Sequence, residues 1–243
     1  EVMLTDYVVI DLEMTGLNAK TDRILETGAA RVRGNVVTAT FSEIINPKRE
    51  LSEKVISLTG ITNEMAVQGK EMDATLMAFL DFIGEDILVG QNVIFDYSFL
   101  KQWAVNHKRT FERNAVDTLK LARKFLPQEQ KKDLASLCSY FGIERVHAHR
   151  ALDDVMETQQ IFEQMQKMYE AGATEAFRPY PLQYKVKKQS PATPQQIKYL
   201  KQFVEFYGIP MPEIYEDATR SEISRLTDQL IAQYGKMKKE PAE

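Results

Sequence analysis

The chain has little of what would make it a disulfide-stapled, zinc-bound or membrane-spanning protein. Its 243 residues include one cysteine, Cys138, so no internal disulfide forms and no multi-cysteine zinc site can be assembled. That cysteine lies in "DLASLCSYFGI", where Leu134, Leu137, Cys138 and Phe141 share one helical face, the setting of a packed core thiol rather than a nucleophile. No apolar run approaches the roughly 18 residues of a membrane span, and the start lacks a basic-then-apolar signal pattern, so the expected location is cytoplasmic. Positive charge is not in excess either: the net charge is −4. This does not advertise a nucleic-acid binder, yet it excludes none, because cations held by carboxylates supply positive charge locally. The distribution is uneven: residues 173–243 carry 11 basic and 9 acidic side chains, which leaves 20 and 26 for residues 1–172. What is present, 44% hydrophobic and 27% charged residues, is a globular composition with room for one well-packed domain and a smaller appendage.

Three strand-like runs open the chain, "DYVVIDLE", "ILETGAARVRGN" and "VVTATFSEIINP". A tight turn at Arg33 to Asn35 makes them an antiparallel meander. "ATLMAFLDFIG" then shows helical spacing of Leu76, Phe79, Leu80 and Ile83, closed by Gly84, and "DILVGQN" reads as a short buried strand. "FDYSFLKQWAVNH" reads as a helix, "AVDTLKLARKFL" as a strand turning into a helix, "KDLASLCSYFGI" as a helix, and "HRALDDVMETQQIFEQMQKMYEAG" as a long helix ended by Gly172. Strands first, then strands alternating with helices, predict an α/β fold: a mixed sheet with helices on both faces. Near Thr174 the composition changes. "RPYPLQYKVKKQSPATP" has four prolines, four basic residues and no acid, which reads as a linker or extended arm. Two amphipathic helices follow, one started by Thr193 and Pro194 and stopped by Gly208, the other ended by Gly235. The expected division is therefore a main domain over 1–173, a basic linker over 174–192, a small helical hairpin over 193–235 and a tail over 236–243.

The run "YVVIDLEMTG", Tyr7 to Gly16, ends a buried strand with two acids. Alternation points Asp11 and Glu13 to the same face, where like charges repel. A solvated strand end, a basic side chain opposite, or a metal ion between them would each relieve the repulsion. Further oxygen ligands are available in Asp96, where a strand turns into a helix, and in Asp154, on a helix, with His149 five residues earlier. If the helix starts just after His149, the histidine sits in the preceding loop while Asp154 points inward. Asp153 is turned about a hundred degrees away from Asp154, and His147 has no acid at the matching spacing. Taken singly, Asp96 reads as a helix-start acid and His149 as a loop histidine.

Together the pieces are distinctive. Asp-x-Glu-x-Thr-Gly after a first strand, Asn-x-x-Phe-Asp-x-x-Phe-Leu at a strand-to-helix turn, and His-x-Ala-x-x-Asp at the head of a late helix resemble the three motifs of DnaQ-like 3′–5′ exonucleases of the DEDDh type. The resemblance covers Tyr7 to about Tyr169. In motif texture, "DLEMTGLN", "LTGIT", "NVIFDYSFL" and "HRALDD" are most similar to proofreading exonucleases of bacterial replicative polymerases. The resemblance implies a ribonuclease H-like fold, metal binding by Asp11, Glu13, Asp96 and Asp154, and His149 as general base. It also implies substrate contacts by Met14, Thr15, Gly16, Leu17, Leu58, Gly60, Ile61, Asn92, Phe95, Phe99 and His149. Two positions depart from the common pattern: Met14 replaces a threonine, and Gln91 stands where a histidine is frequent. Neither is a ligand.

The implied chemistry is two-metal phosphodiester hydrolysis. Two divalent ions about 3.5–4 Å apart neutralise the phosphate, activate water and stabilise the leaving 3′-oxygen. An all-oxygen site fits Mg²⁺ or Mn²⁺. The expected substrate is the 3′ end of single-stranded DNA, released as nucleoside 5′-monophosphates. RNA trimming by the same chemistry and a partner-dependent, non-catalytic binding subunit stay open as alternatives, the first because one or two contacts suffice to read a 2′-hydroxyl. A polymerase or helicase partner held through the C-terminal helices is a further expectation.

Overall fold

The computed structural model describes residues 3–215 and 217–238. Glu1, Val2 and residues 239–243 of the expected tail lie outside them. Six strands among the described residues form one sheet in the order β3-β2-β1-β4-β5-β6. The first three are β1 (Tyr7–Met14), β2 (Ile24–Arg33) and β3 (Val36–Ile44), paired antiparallel as expected. The turn between β2 and β3 places Gly34 and Asn35 both at positive φ, +56° and +62°. Two such residues in succession match the twist of the flanking strands. β4 (Leu88–Gly90) pairs parallel with β1, and β5 (Asn114–Asp117) parallel with β4. This is the mixed sheet that the resemblance implies.

Strand parity decides which helices meet which side chains. Val8, Ile10 and Leu12 of β1 point to one face, into a core with Leu76, Phe79 and Ile83 of α3 (Met72–Ile83) and Tyr97 and Leu100 of α4 (Val93–Asn106). Tyr7 and Val9 point to the other face. They meet α5 (Thr118–Phe125), α6 (Leu134–Phe141) and the 19-residue α7 (Ala151–Tyr169), whose Val155, Ile161, Phe162 and Met165 are buried there. Cys138 is part of this second core. Burying each of these aliphatic or aromatic side chains stabilises the fold by roughly 1.5–3 kcal/mol before entropy is counted. By the same alternation Asp11 and Glu13 belong to the face that carries α7.

Two short helices that periodicity does not reveal, α1 (Glu53–Thr59) and α2 (Asn63–Val67), fill the interval between β3 and α3. They cover a small core of Leu25, Leu51, Ile61 and Ala66. At five and seven residues they span less than two full turns each, too little for an amphipathic pattern to register.

The stretch 174–192 does more than link. A 3-10 turn at Thr174–Phe177 buries Phe177, and β6 (Tyr180–Pro181) adds an antiparallel edge to β5. Leu182 is buried, and Gln189 binds Asn106 through its backbone N–H (2.8 Å) and the Lys20 carbonyl through its side chain (2.6 Å). Beyond it lie α8 (Pro194–Tyr207) and α9 (Arg220–Tyr234). Each is started by a threonine, Thr193 and Thr219, in a reciprocal capping box with Gln196 and Glu222, a device that satisfies two otherwise unpaired donors.

Candidate active site

The last four residues of β1 carry two acids. Asp11 and Glu13 project toward the start of α7, which delivers Asp154, and the three carboxylates each place an oxygen within 4.8 Å of the others. Asp96, in the first turn of α4, reaches the same strand end: its Oδ1 accepts the Leu12 backbone N–H at 3.1 Å. Asp96 and Asp154 are 4% and 6% exposed, so two of the four charges are almost removed from water. One Asp11 oxygen, Oδ2, is buried with no hydrogen-bond partner among the described residues.

Such crowding is costly for bare carboxylates. Burial, followed by repulsion from Asp96, Glu13 and Asp154, holds the Asp11 carboxyl well above the usual range. Burial and the neighbouring acids push Glu13 up to about 9. Burial, with repulsion from Glu157, raises Asp154 to about 6 against the opposing pull of Arg145. Burial also holds Asp96 high. An orphaned buried oxygen beside three like-charged neighbours is relieved by a cation, and four hard oxygen donors suit Mg²⁺ or Mn²⁺. The donor set therefore fits divalent metal.

The close approach of α7 to β1 depends on Gly28, which pairs with Asp11 across the β1–β2 ladder. A Cβ at Gly28 would lie 2.6 Å from the backbone carbon of Ala151, so only glycine admits the helix start at this depth. Glu26, two residues earlier and 1% exposed, fixes the helix end. It accepts the Ala151 backbone N–H at 2.6 Å and binds the Arg150 guanidinium at 2.8 Å. A carboxylate on the first N–H groups of a helix satisfies an orphan donor and complements the helix dipole. Arg145 binds both Asp154 and Glu157, each at 2.9 Å. None of Glu26, Gly28, Arg145 or Arg150 stands out in the sequence. A single acid inside an apolar strand is the one available signal, since it demands a buried partner.

His149 lies in the loop just before α7, as expected, at φ +60° and with its side chain exposed. Its backbone amide helps hold the Asp154 carboxyl down against the effect of burial. The two residues set aside by spacing, His147 and Asp153, pair with each other at 3.3 Å, away from the cluster.

Of the expected substrate-contact residues, Met14, Thr15 and Gly16 are half-buried at the end of β1 and in the loop after it, and Leu17 is 82% exposed. The Thr15 hydroxyl accepts the Arg23 backbone N–H at 2.9 Å, pinning that loop. The strand register slips between Glu13 and Met14, and an irregularity of this kind re-aims the chain beside an active site. Leu58 is exposed on α1, and Gly60 closes that helix at φ +72°. Asn92 adopts φ +55° at the start of α4 and donates its backbone N–H to Asp117 at 3.0 Å. Phe95 is half-buried and stacks edge to face on the buried Phe99 at 5.6 Å. Ile61 has no exposed surface. As a correction to the sequence expectation, Ile61 is a core side chain beneath α1 and offers no face to a base, because α1 and α2 need it to close their own small core.

Residues 8–162 match the model of the RNase_T family, described as Exonuclease. The chain belongs to this exonuclease family. It is 37% identical over 157 residues to the DNA polymerase III subunit epsilon of Aquifex aeolicus, an alignment covering 64% of this chain and 78% of that protein. Over 156 residues it is 34% identical to the PolC-type DNA polymerase III of Clostridium perfringens. That alignment takes in 64% of this chain but 11% of the polymerase, so the chain spans about a tenth of its PolC-type relatives. In fold, it resembles the nuclease domain of 3'hExo, a DEDDh family member bound to rAMP, with TM-score 0.59, 19% identity and coverage of 72% and 96%. Escherichia coli Exonuclease I in complex with a dT13 oligonucleotide gives TM-score 0.58, 19% identity and coverage of 71% and 43%. The chain thus carries a DnaQ-type 3′–5′ exonuclease domain acting on nucleic acid. No helix among the described residues is long and apolar enough to cross a membrane.

Proposed function

We propose that this exonuclease shortens single-stranded DNA from its 3′ end by two-metal hydrolysis, releasing nucleoside 5′-monophosphates. The single observation that carries the reading is the convergence of Asp11, Glu13 and Asp154 within 4.8 Å, with a buried Asp11 oxygen that has no hydrogen-bond partner among the described residues. Asp11, Glu13, Asp96 and Asp154 would hold two divalent cations, Mg²⁺ or Mn²⁺. Bound there, the ions supply charge neutralisation on the scissile phosphate, a nucleophilic water and a stabilised leaving oxygen.

The chain's own residues do the rest. His149, in the loop just before the helix that carries Asp154, takes the water's proton on a ring nitrogen. The loop Thr15 to Leu17 closes over the terminal 3′-hydroxyl, and a base is held by the exposed Leu58 and the half-buried Phe95. Arg145 limits repulsion at Asp154, and Glu26 with Arg150 fixes the helix start that carries it. DNA is favoured over RNA because the epsilon-subunit likeness extends to 37% identity, whereas the likeness to the rAMP-bound nuclease is one of fold. Assembly with a polymerase belongs to the same proposal, as does a cytoplasmic site of action. The test is digestion of 5′-labelled single-stranded DNA and RNA with Mg²⁺, Mn²⁺ or EDTA. The expected result is a metal-dependent ladder from the 3′ end, faster on DNA, and slowed about 10²- to 10⁴-fold in His149→Ala. An uncut DNA strand with folded wild-type protein would sink the proposal, and faster RNA cleavage would replace DNA by RNA as the substrate.

A further inference from the structure

The family match ends at residue 162, yet two residues beyond it reach the substrate side of the molecule. A cleft of about 620 Å³ opens beside the loop after β1. It is lined by Thr15, Gly16 and Leu17, which follow Glu13 in the chain, and by Phe95, which precedes Asp96. The lining also includes Asp22, Tyr184 from the strap after β6 and Arg225 from α9.

Both outside residues are held in place. Leu182 anchors the strap by donating its backbone N–H to the Arg113 carbonyl at 2.9 Å, and Gln102 binds the Lys187 carbonyl at 3.2 Å, so Tyr184 lies between two fixed points. Its ring is half-buried and, like Phe95, packs against the core around Phe99 and Leu182. α9 is tied to the nuclease domain by Glu222, which binds Arg23 and Arg49, and by Asp217, which binds Arg23 at 2.6 Å. Arg225 follows Glu222 by three residues and therefore shares its helix face. The Arg225 side chain is 48% exposed. Its Nη1 binds the Thr21 hydroxyl and lies 3.8 Å from Asp22. Nε and Nη2 have no partner among the described residues, and that edge of a guanidinium presents two parallel donors, the geometry that fits two phosphate oxygens.

We propose that Arg225 and Tyr184 are substrate-binding residues of the nuclease. The Arg225 guanidinium takes a backbone phosphate of the entering strand, and the Tyr184 ring together with Phe95 offers apolar surface to its bases. The C-terminal helices thus complete the strand-binding cleft in cis. This inference rests on the nuclease reading for its substrate, a single strand with a free 3′ end. Phosphate contact by arginine and base contact with an aromatic ring are the two elements from which sequence-tolerant single-strand sites are built.

The experiment measures KM and kcat of the full chain on a 5′-labelled single-stranded DNA oligonucleotide with Mg²⁺. It compares wild type, Arg225→Gln, Tyr184→Leu and Tyr184→Phe, each matched for melting behaviour. Loss of a charge-assisted phosphate contact or of a stacked base is expected to raise KM about tenfold in Arg225→Gln and in Tyr184→Leu, with the wild-type KM kept in Tyr184→Phe. A shallower dependence of KM on salt in Arg225→Gln accompanies the loss of one phosphate contact. Wild-type KM values in both variants overturn the proposal. A defect confined to kcat also overturns it, since that marks packing transmitted to the acids. Arg225 is exposed enough for its variant to fold even where Tyr184→Leu does not. If wild type cuts nothing, the nuclease reading fails by itself. Fluorescence anisotropy of the same oligonucleotide then decides the binding role: about tenfold weaker binding by the two variants upholds it, and equal binding overturns it.

Discussion

Asp11, Glu13, Asp96 and Asp154 are placed at a cost that no protein cation fully offsets. Arg145 reaches Asp154 and Arg150 lowers the burden on Glu13, but Asp11 keeps a buried oxygen without a hydrogen-bond partner among the described residues. The sign of the pH effect follows. Glu13, ordinarily near 4.5, is raised to about 9, and Asp154, ordinarily near 3.8, to about 6, so the folded metal-free protein keeps protons that the unfolded chain releases. Its stability is full at low pH and is lost as pH rises through those values. Melting in EDTA is therefore expected to fall between about pH 5 and pH 9, with Mg²⁺ restoring it most at the alkaline end, where ionised ligands bind metal best. Glu13→Gln is expected to flatten the EDTA profile and raise alkaline stability by about 1 kcal/mol, while reducing cleavage by more than the roughly 100-fold that changes around metal ligands alone produce. A melting temperature that climbs with pH in EDTA would contradict this. Alternation put Asp11 and Glu13 on one strand face, but the four acids were legible as a set only through the three motifs that carry the family resemblance, since Asp96 alone reads as a helix-start acid. Glu26 and Arg145 were not, since a side chain that holds another in place leaves no periodic trace.

β1, β2 and α7 bring Asp11, Glu13 and Asp154 together, and α4 adds Asp96 at the same strand end. Parity turns Asp11 and Glu13 toward α7, and Gly28 lets α7 come down onto the strand. Gly28→Ala is expected to push the helix start outward or strain β2, at a cost of about 1–3 kcal/mol. Because Asp154 rides on that helix, cleavage is expected to drop more than melting does. Wild-type turnover in a stable Gly28→Ala would show that the contact does not set the geometry. The opening meander, the turn at Gly34 and Asn35, and helices α3 to α9 were visible through periodicity and end signals. β6 was not, because two residues with a proline carry no alternation. Nor were α1 and α2, whose formation depends on the core around Leu25 and Ile61 rather than on propensity.

Across the whole molecule, the acidic nuclease domain and the more basic C-terminal part are joined by ion pairs as well as by chain. Arg23, Arg49 and Glu222 are 11%, 18% and 13% exposed, buried enough that salt screens them only partly. Removing one member strands the others. Glu222→Gln is expected to cost about 2 kcal/mol at this partly exposed interface, read as faster amide exchange in α9 with exchange in β1 unchanged. Equal loss of protection in both would show that the helices and the nuclease domain unfold as one unit. We propose the division into a nuclease domain over 1–173 and a helical hairpin over 193–235, with 174–192 serving as a fixed strap. Composition marked this stretch as extended and basic. That Gln189, near its C-terminal end, is hydrogen-bonded to α4 and to the loop after β1 depends on Asn106 and Lys20, which lie far away in the chain.

The most direct measurement is a calorimetric titration of Mn²⁺ into the full chain in the presence of a nucleoside 5′-monophosphate, repeated with Asp11→Asn. The account predicts two ions per wild-type chain, proton release on binding, and loss of binding in the folded variant. Equal Mn²⁺ binding by wild type and Asp11→Asn, or none by wild type, would contradict it.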